Sequence, residues 1–187
     1  MGVRAFRYYA ITATDTAQPC FGTTMASAPV ISGENSPSVI TVADSSMFLQ
    51  RDPIILDPYQ SNAENTYVES VIDGTHISAY VRKAHSAYST GPGGFVVLGK
   101  SCASVTVNGL DGSAGDYFFG IGPSFKDGTS AGSGSAGLIF IARKTPASYQ
   151  PPYFSSSNIY GLNAVNSAEF WIQGTVDDVF LPSWIET

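Results

Sequence analysis

The sequence predicts an all-β protein, an antiparallel β-sandwich of jelly-roll type with a small β-barrel inserted into it. Short runs rich in Val, Ile, Thr, Tyr and Phe alternate with clusters of Gly, Pro, Asn, Asp and Ser along the whole chain. No stretch of ten or more residues keeps a helical period. The spacing of the runs is typical of sandwiches and barrels rather than of βαβ units.

The first half of the chain carries six predicted strands. Each is a run of β-branched and aromatic residues, which pack well on a pleated surface, and each ends at a cluster of turn-forming residues. In order they are RAFRYYAITAT (4–14), SVITVA (38–43), PIILD (53–57), NTYVESVI (65–72), THISAYVR (75–82) and GFVVLG (94–99). Asp73-Gly74 separates two alternating runs, which is the strongest short-range signal for a β-hairpin.

The second half carries five more predicted strands, which are more aromatic and joined by longer loops. They are ASVTVNG (103–109), DYFFGIG (116–122), AGLIFIAR (136–143), AEFWIQGT (168–175) and DVFLPSWIE (178–186). Alternation along a strand places Phe170 and Ile172 on one face and Trp171 on the other. A sandwich core is expected to take about half of the aromatic side chains.

Loop-like segments divide the chain into two predicted domains. SGENSPS opens, and STGPGG closes, a middle block of short strands joined by tight turns. We therefore expect residues 33–99 to form a small inserted barrel. Residues 1–32 and 100–187 are expected to form the sandwich together.

The composition restricts the classes of function. Charged residues make up only 13% of the 187 residues, about half of the usual quarter, so Ser, Thr, Asn, Gly and Tyr must cover much of the surface. Such a surface suits a chain that packs against other proteins. The net charge is −6 and no run of Lys and Arg exceeds two residues, which argues against nucleic-acid binding. No apolar run is long enough for a membrane span, and the N-terminus does not resemble a signal peptide.

The two cysteines, Cys20 and Cys102, lie far apart and form no CxxC pair. Two buried thiols are the expected state, with a disulfide as the open alternative.

Acids and both histidines of the chain are concentrated between residues 64 and 86. Alternation places Val68 and Ile72 inward and turns Glu69 toward solvent, while His76 lies opposite Ile77. The segment has no HxH, HxxxH or HExxH pair, so alternation is expected to separate its acids and histidines, and we predict neither a metal nor a cofactor. His85 follows the strand and is a candidate for a hydrogen bond that locks the end of the barrel.

Other catalytic patterns are weak. GSGSAG (132–137) fits GxGxxG, but no strand precedes it and no helix follows, so it is predicted to be a loop. There is no GxSxG motif for a nucleophilic serine. Asp177, Asp178 and Glu169 are the carboxylates available for glycoside hydrolysis, although GTVDDVF fits a polar turn better. We therefore expect no enzymatic activity.

Exposed aromatic side chains are expected on the loop SYQPPYF (148–154), because Pro-Pro fixes an extended backbone. They suit a protein–protein anchor or, alternatively, a platform for stacking sugars. A basic and aromatic N-terminal segment is either a reaching arm or, as we favour, the first strand. The candidate interface residues are Tyr149, Pro151, Pro152, Tyr153, Phe154, Arg4 and Phe6.

The segment between residues 40 and 91 resembles a pattern found in structural proteins of tailed bacteriophages. The pattern has a Thr-Val strand, a short Phe-containing turn and a strand that starts with Gly-Asp and ends with Asp. A Glu-containing strand, a Gly-Thr strand and a Lys-Ala-His end follow, and Arg51 stands where the pattern has the Gly before Asp52. The matching residues are Thr41, Val42, Phe48, Asp52, Ile55, Asp57, Glu64, Val68, Val71, Gly74, Thr75, Ile77, Lys83, Ala84 and His85. The remaining chain is similar in style to β-sandwich domains of phage head-decoration and tail proteins.

The resemblance implies a virion structural protein that is made in the host cytoplasm. The first hypothesis is a capsid decoration or cement protein that binds the major capsid protein and forms homo-oligomers. The second is a receptor- or glycan-binding module of the tail or collar, in which Tyr149, Tyr153 and Phe154 stack on sugar. The third is a glycan hydrolase.

Overall fold

The computed structural model of the chain describes residues 6–8, 10–12, 17–89, 93–109, 117–121, 139–141, 147–149, 165–174 and 178–186. Sixteen strands are formed by these residues. They are β1 (Phe6–Tyr8), β2 (Ile11–Thr12), β3 (Gln18–Pro19), β4 (Gly22–Thr24), β5 (Ser38–Thr41), β6 (Pro53–Leu56), β7 (Glu64–Asp73), β8 (His76–Ala79), β9 (Phe95–Leu98), β10 (Ser101–Gly109), β11 (Tyr117–Ile121), β12 (Ile139–Ile141), β13 (Ala147–Tyr149), β14 (Val165–Asn166), β15 (Phe170–Gln173) and β16 (Val179–Glu186).

The strands form three antiparallel sheets, which confirms the predicted all-β class. One has the order β1-β16-β10-β13, with β2 added to β16 and β14 to β10. The second has the order β12-β11-β15-β3, and the third β4-β9-β6-β7-β8-β5. Within the described part of the chain, no helix is long and apolar enough to cross a membrane.

The third sheet curls until its two outer strands approach each other. An isolated antiparallel bridge joins Met25, which follows β4, to Val42, which follows β5. Backbone bonds from Ala26 N to Thr41 O (2.8 Å) and from Ala43 N to Thr24 O (2.9 Å) extend this closure. The curled sheet is the barrel-like element that the sequence predicts.

The curled sheet includes β4, which lies before residue 33, where the predicted barrel domain begins. β4 pairs with β9 and supplies one edge of the sheet. The division of the chain into 33–99 and a flanking sandwich domain stays a prediction.

The β7–β8 hairpin confirms the predicted turn at Asp73-Gly74. Val68 is buried while Tyr67 and Glu69 are exposed, as alternation requires. Ile72 is the exception, because 52% of its surface is exposed although the pattern places it inward. The register of β7 against β8 shifts between Val71 and Asp73, which breaks the alternation beside the turn.

The bounds of several other strands differ from the predicted ones. The predicted strand 168–175 begins with a 3₁₀ turn over Ser167–Glu169, because the Asn166 side chain accepts a hydrogen bond from Ala168 N at 3.0 Å and caps it. The short strands β3, β4, β13 and β14 were not predicted, since two or three residues carry too little pattern.

Two hydrophobic clusters hold the sheets together. The larger runs through the inside of the curled sheet and on to Phe21, Cys102 and Trp184. The smaller contains Phe95, Val97, Ala168 and Trp171. β9 is buried on both faces because its alternate residues join different clusters.

β15 is divided in the same way. Phe170 and Ile172 join the larger cluster, whereas Trp171 joins the smaller one. This confirms the predicted division of their side chains between the two faces of the strand.

Candidate functional site

Asp57 is a buried carboxylate at the end of β6. Its φ of 48° lies in the left-handed region, which Asp tolerates better than most residues do. Its Oδ1 accepts a hydrogen bond from Gly94 N at 2.5 Å. Its Oδ2 lies 2.8 Å from Nδ1 of His85 and 3.0 Å from Nδ2 of Asn62. Both carboxylate oxygens are therefore occupied by protein donors.

Glu64 is the first residue of β7 and lies on its inward face. Its carboxylate accepts hydrogen bonds from Arg82 N, at 2.8 and 3.0 Å, and from Lys83 N, at 2.9 Å. Its Oε2 also lies 3.2 Å from Nε2 of His85. The segment that follows β8 is thereby bound to the start of β7.

His85 lies between these two carboxylates with its side chain fully buried. Both ring nitrogens face carboxylate oxygens, Nδ1 that of Asp57 and Nε2 that of Glu64. Asn62 adds a hydrogen bond from its Nδ2 to Ala84 O at 2.9 Å. We call Asp57, Asn62, Glu64 and His85 the barrel lock, because together they join the ends of β6 and β7 to the segment after β8.

The barrel lock confirms the expectation that His85 forms a hydrogen bond at the end of the barrel. The expectation that the acids and histidines of this segment stay apart is wrong for Glu64 and His85. Alternation governs residues within one strand, whereas the chain after β8 folds back across the sheet. Asp57 was part of the phage-like pattern, but no local signal placed it beside His85.

The chemistry of the barrel lock is that of a closed network. Its charged side chains are at most 7% exposed, and their polar atoms bond to each other or to backbone groups. Among the described residues, no group of three His, Cys, Asp or Glu side chains has an arrangement that could hold a metal ion. The network can tie strands together, and a solvent-borne substrate has little access to it.

The other polar residues of the segment lie at the hairpin turn. Glu69 is exposed, and Nδ1 of His76 lies 2.8 Å from Oδ1 of Asp73. The backbone N–H of Thr75, followed by the His76 side chain, lowers the pKa of the Asp73 carboxyl. This pair stabilises the turn and, being exposed, contributes little to overall stability.

A further buried acid, Asp52, precedes β6. Its Oδ1 lies 2.8 Å from Nζ of Lys100, and its Oδ2 accepts a hydrogen bond from Leu49 N at 2.8 Å. The neighbouring Arg51 has a φ of 69°, a conformation that favours glycine. Arg51 therefore has the left-handed backbone that a Gly at this turn would adopt without strain.

An open cleft is lined by residues of β6 and β7 on one side and of β14 and the 3₁₀ turn on the other. One lobe has a volume of about 250 Å³ and the other of about 290 Å³, and they share Ile55, Asn65 and Asn166. Tyr59 and Glu169 line the first lobe, and Tyr67 lines the second. We call this the tyrosine cleft.

Tyr59 has an unusual backbone and a supported ring. Its φ is 65°, which is strained for a bulky residue. Its ring meets Trp171 edge to face, with centroids 6.0 Å apart, while 51% of the residue stays exposed. Burial and the nearby Glu169 carboxylate raise the pKa of the Tyr59 hydroxyl.

The predicted interface residues lie largely beyond the described residues. Arg4, Pro151, Pro152, Tyr153 and Phe154 are outside them, as is the GSGSAG loop. Phe6 lies on β1 opposite Ile185, which confirms a first strand. The expectation that Tyr149 lies on a loop is wrong, because Ala147–Tyr149 pairs with β10 as β13 and places Tyr149 opposite Val105. The role of these residues as an interface stays a prediction.

The three carboxylates of the hydrolase hypothesis do not all lie at one site among the described residues. Asp178 is buried, with 5% of its surface exposed, and Glu169 lines the tyrosine cleft. Asp177 lies outside the described residues. Glycoside hydrolysis stays a hypothesis.

Both cysteines are buried and neither forms a disulfide, which confirms the expected state. Burial raises the pKa of the Cys20 thiol well above its ordinary value.

Compared with known proteins, the chain matches no family, no curated protein and no solved structure.

Proposed function

We propose that this chain is a structural protein of a tailed-phage virion, a capsid decoration or cement protein that binds the major capsid protein. The observation that carries the proposal is that the polar residues of the phage-like pattern hold the strands together. Asp57, Glu64 and His85 form the barrel lock, and Asp52 pairs with Lys100. The pattern therefore encodes a fixed scaffold, which is what an attachment module needs.

The surface supports the same proposal. The chain has few charges for its size, and several large apolar side chains of the barrel region are exposed, namely Val30, Ile31, Val39, Leu49 and Ile72. Interfaces between proteins are depleted in charge at their centres. Such a protein would stabilise the shell additively, through buried area and strand addition between neighbouring capsomers, and as a homo-oligomer.

Quantitative mass spectrometry of separated heads and tails tests this location, using particles of the phage that encodes the chain. A decoration protein should fractionate with heads, at a copy number near that of the major capsid protein. A handful of copies, or recovery with tails alone, would sink the proposal.

Reconstitution tests the predicted interface separately. Shells that lack the protein should bind the purified chain and become more resistant to heat. The variant Tyr153→Ala/Phe154→Ala should bind more weakly, whereas Glu69→Gln, an exposed change on β7, should bind normally. Equal binding by both variants would remove the SYQPPYF loop from the interface.

The second candidate is a receptor- or glycan-binding module of the tail or collar, and the tyrosine cleft is the observation that favours it.

For the hydrolase hypothesis, Asp178→Asn should abolish polysaccharide cleavage. Absence of cleavage by the wild-type chain would end that hypothesis.

A further inference from the structure

The tyrosine cleft has a fixed aromatic wall at its first lobe. Trp171 is fully buried and contacts both Tyr59 and Phe95 edge to face, with centroids 6.0 and 5.5 Å apart. The exposed ring of Tyr59 therefore rests on the smaller hydrophobic cluster. Its left-handed backbone, with a φ of 65°, fixes its place in the turn after β6. An aromatic ring held in this way needs no ordering when a ligand arrives.

The second lobe has its own exposed aromatic ring. Tyr67 lies on β7, and 61% of its surface is exposed. It follows Asn65 by two residues on the same face, about 7 Å further along the strand. Pro53 and Ile55 lie opposite these two residues on β6. The floor of the cleft is therefore apolar, with one tyrosine at either end.

Polar groups lie between the two tyrosines. Asn65, Asn166 and Glu169 line the cleft. The side chains of Asn65 and Glu169 form no hydrogen bond with any described residue, so both can bind a ligand. Amide and carboxylate oxygens can accept hydrogen bonds from hydroxyl groups, and the amide NH₂ can donate hydrogen bonds to hydroxyl oxygens.

We infer that the tyrosine cleft binds a neutral oligosaccharide, with one sugar ring against Tyr59 and a neighbouring ring against Tyr67. The apolar C–H face of a sugar packs on the electron-rich face of an aromatic ring, while its hydroxyls bond to Asn65 and Glu169. The two lobes, of about 250 and 290 Å³, together reach the usual size of a small-molecule site, about 300–1,000 Å³. This inference does not depend on the virion role proposed above.

Other ligand classes fit the cleft less well. β6 is paired with β9 and β7, and β7 with β6 and β8, so neither strand offers a free backbone edge to an added peptide strand. Among the described residues that line the cleft, Glu169 is acidic and none is Lys or Arg, which disfavours acidic sugars and phosphates. A neutral, hydroxyl-rich ligand meets both conditions.

Saturation-transfer NMR on the full chain tests the inference, with cellotriose, maltotriose, mannotriose and chitotriose as probes. At least one trisaccharide should receive saturation at millimolar concentration, and titration of that sugar then gives its Kd. Tyr59→Ala and Tyr67→Ala should each weaken binding at least about tenfold. Tyr59→Phe should retain most of the affinity, because it keeps the ring.

Matched controls separate the cleft from the rest of the surface. Glu169→Gln should weaken or alter binding, whereas Glu69→Gln, an equivalent change outside the cleft, should not. Tyr80→Ala controls for loss of a tyrosine elsewhere on the barrel. The inference is overturned if no trisaccharide binds, if the cleft variants bind as the controls do, or if a proline-rich peptide occupies the cleft while the sugars do not.

Discussion

Nδ1 of His85 lies 2.8 Å from Oδ2 of Asp57, although 28 residues separate them along the chain. Both side chains are buried, and Glu64 approaches the other ring nitrogen of His85. Removing His85 leaves buried carboxylate oxygens of Asp57 and Glu64 without that hydrogen-bond partner, which costs about 1–3 kcal/mol. We therefore expect His85→Ala to lower the free energy of unfolding by about this amount, measured by denaturant titration.

His76→Ala is the matched control for that measurement. His76 contacts Asp73 on the exposed surface, where solvent screens such a pair and it contributes little to stability. Asp57→Asn is a useful third variant, because Asn tolerates the left-handed backbone and isolates the loss of charge. Equal stability losses for His85→Ala and His76→Ala would contradict a structural barrel lock.

Gly94→Ala should destabilise the protein, whereas Gly93→Ala should be nearly neutral. A Cβ on Gly94 would lie 2.4 Å from Tyr88 Cα, and the φ of 81° disfavours any side chain. A Cβ on Gly93 would meet no atom of the described residues within 4 Å. We expect a difference of more than about 1 kcal/mol between the two variants, read from their denaturation midpoints. Equal midpoints would contradict the close approach at Gly94.

Cys20 should resist thiol reagents while the protein is folded. Its burial disfavours the thiolate, which is the reactive form. Mass spectrometry after brief alkylation at neutral pH should therefore find Cys20 unmodified. Alkylation in denaturant, without a reducing agent, should label both cysteines, because neither is in a disulfide. A labelled Cys20 in the folded protein would argue against its place in the core.

The carboxyl of Asp73 should titrate below its ordinary pKa. Because folding lowers this pKa, chiefly through the Thr75 N–H, the contribution of the turn to stability is present above the unfolded pKa. That contribution is lost as the pH falls through the lowered, folded value. NMR titration of the side-chain carboxyl carbon measures the shift directly. Thr75→Pro removes the donating N–H and should return the pKa toward its ordinary value.

Local pattern was sufficient for much of the fold. The period of two along β7 predicted that Val68 is buried and Glu69 exposed, and Asp73-Gly74 predicted the hairpin. Along β15 the same rule separated Trp171 from Phe170 and Ile172. These predictions hold because side-chain direction in a strand follows from backbone geometry alone. At Ile72 the rule is wrong, because pairing with β8 shifts the register.

By itself, then, the sequence determined the all-β class, the main strands and the direction of side chains within them. Only the tertiary structure decided which distant segments meet. The curl of one sheet joins Met25 to Val42, the fold-back after β8 places His85 between Asp57 and Glu64, and the packing of the 3₁₀ turn brings Asn166 beside Asn65. The physical reason is that strand pattern is a property of neighbouring residues. Both the barrel lock and the tyrosine cleft instead depend on contacts between residues far apart in the chain.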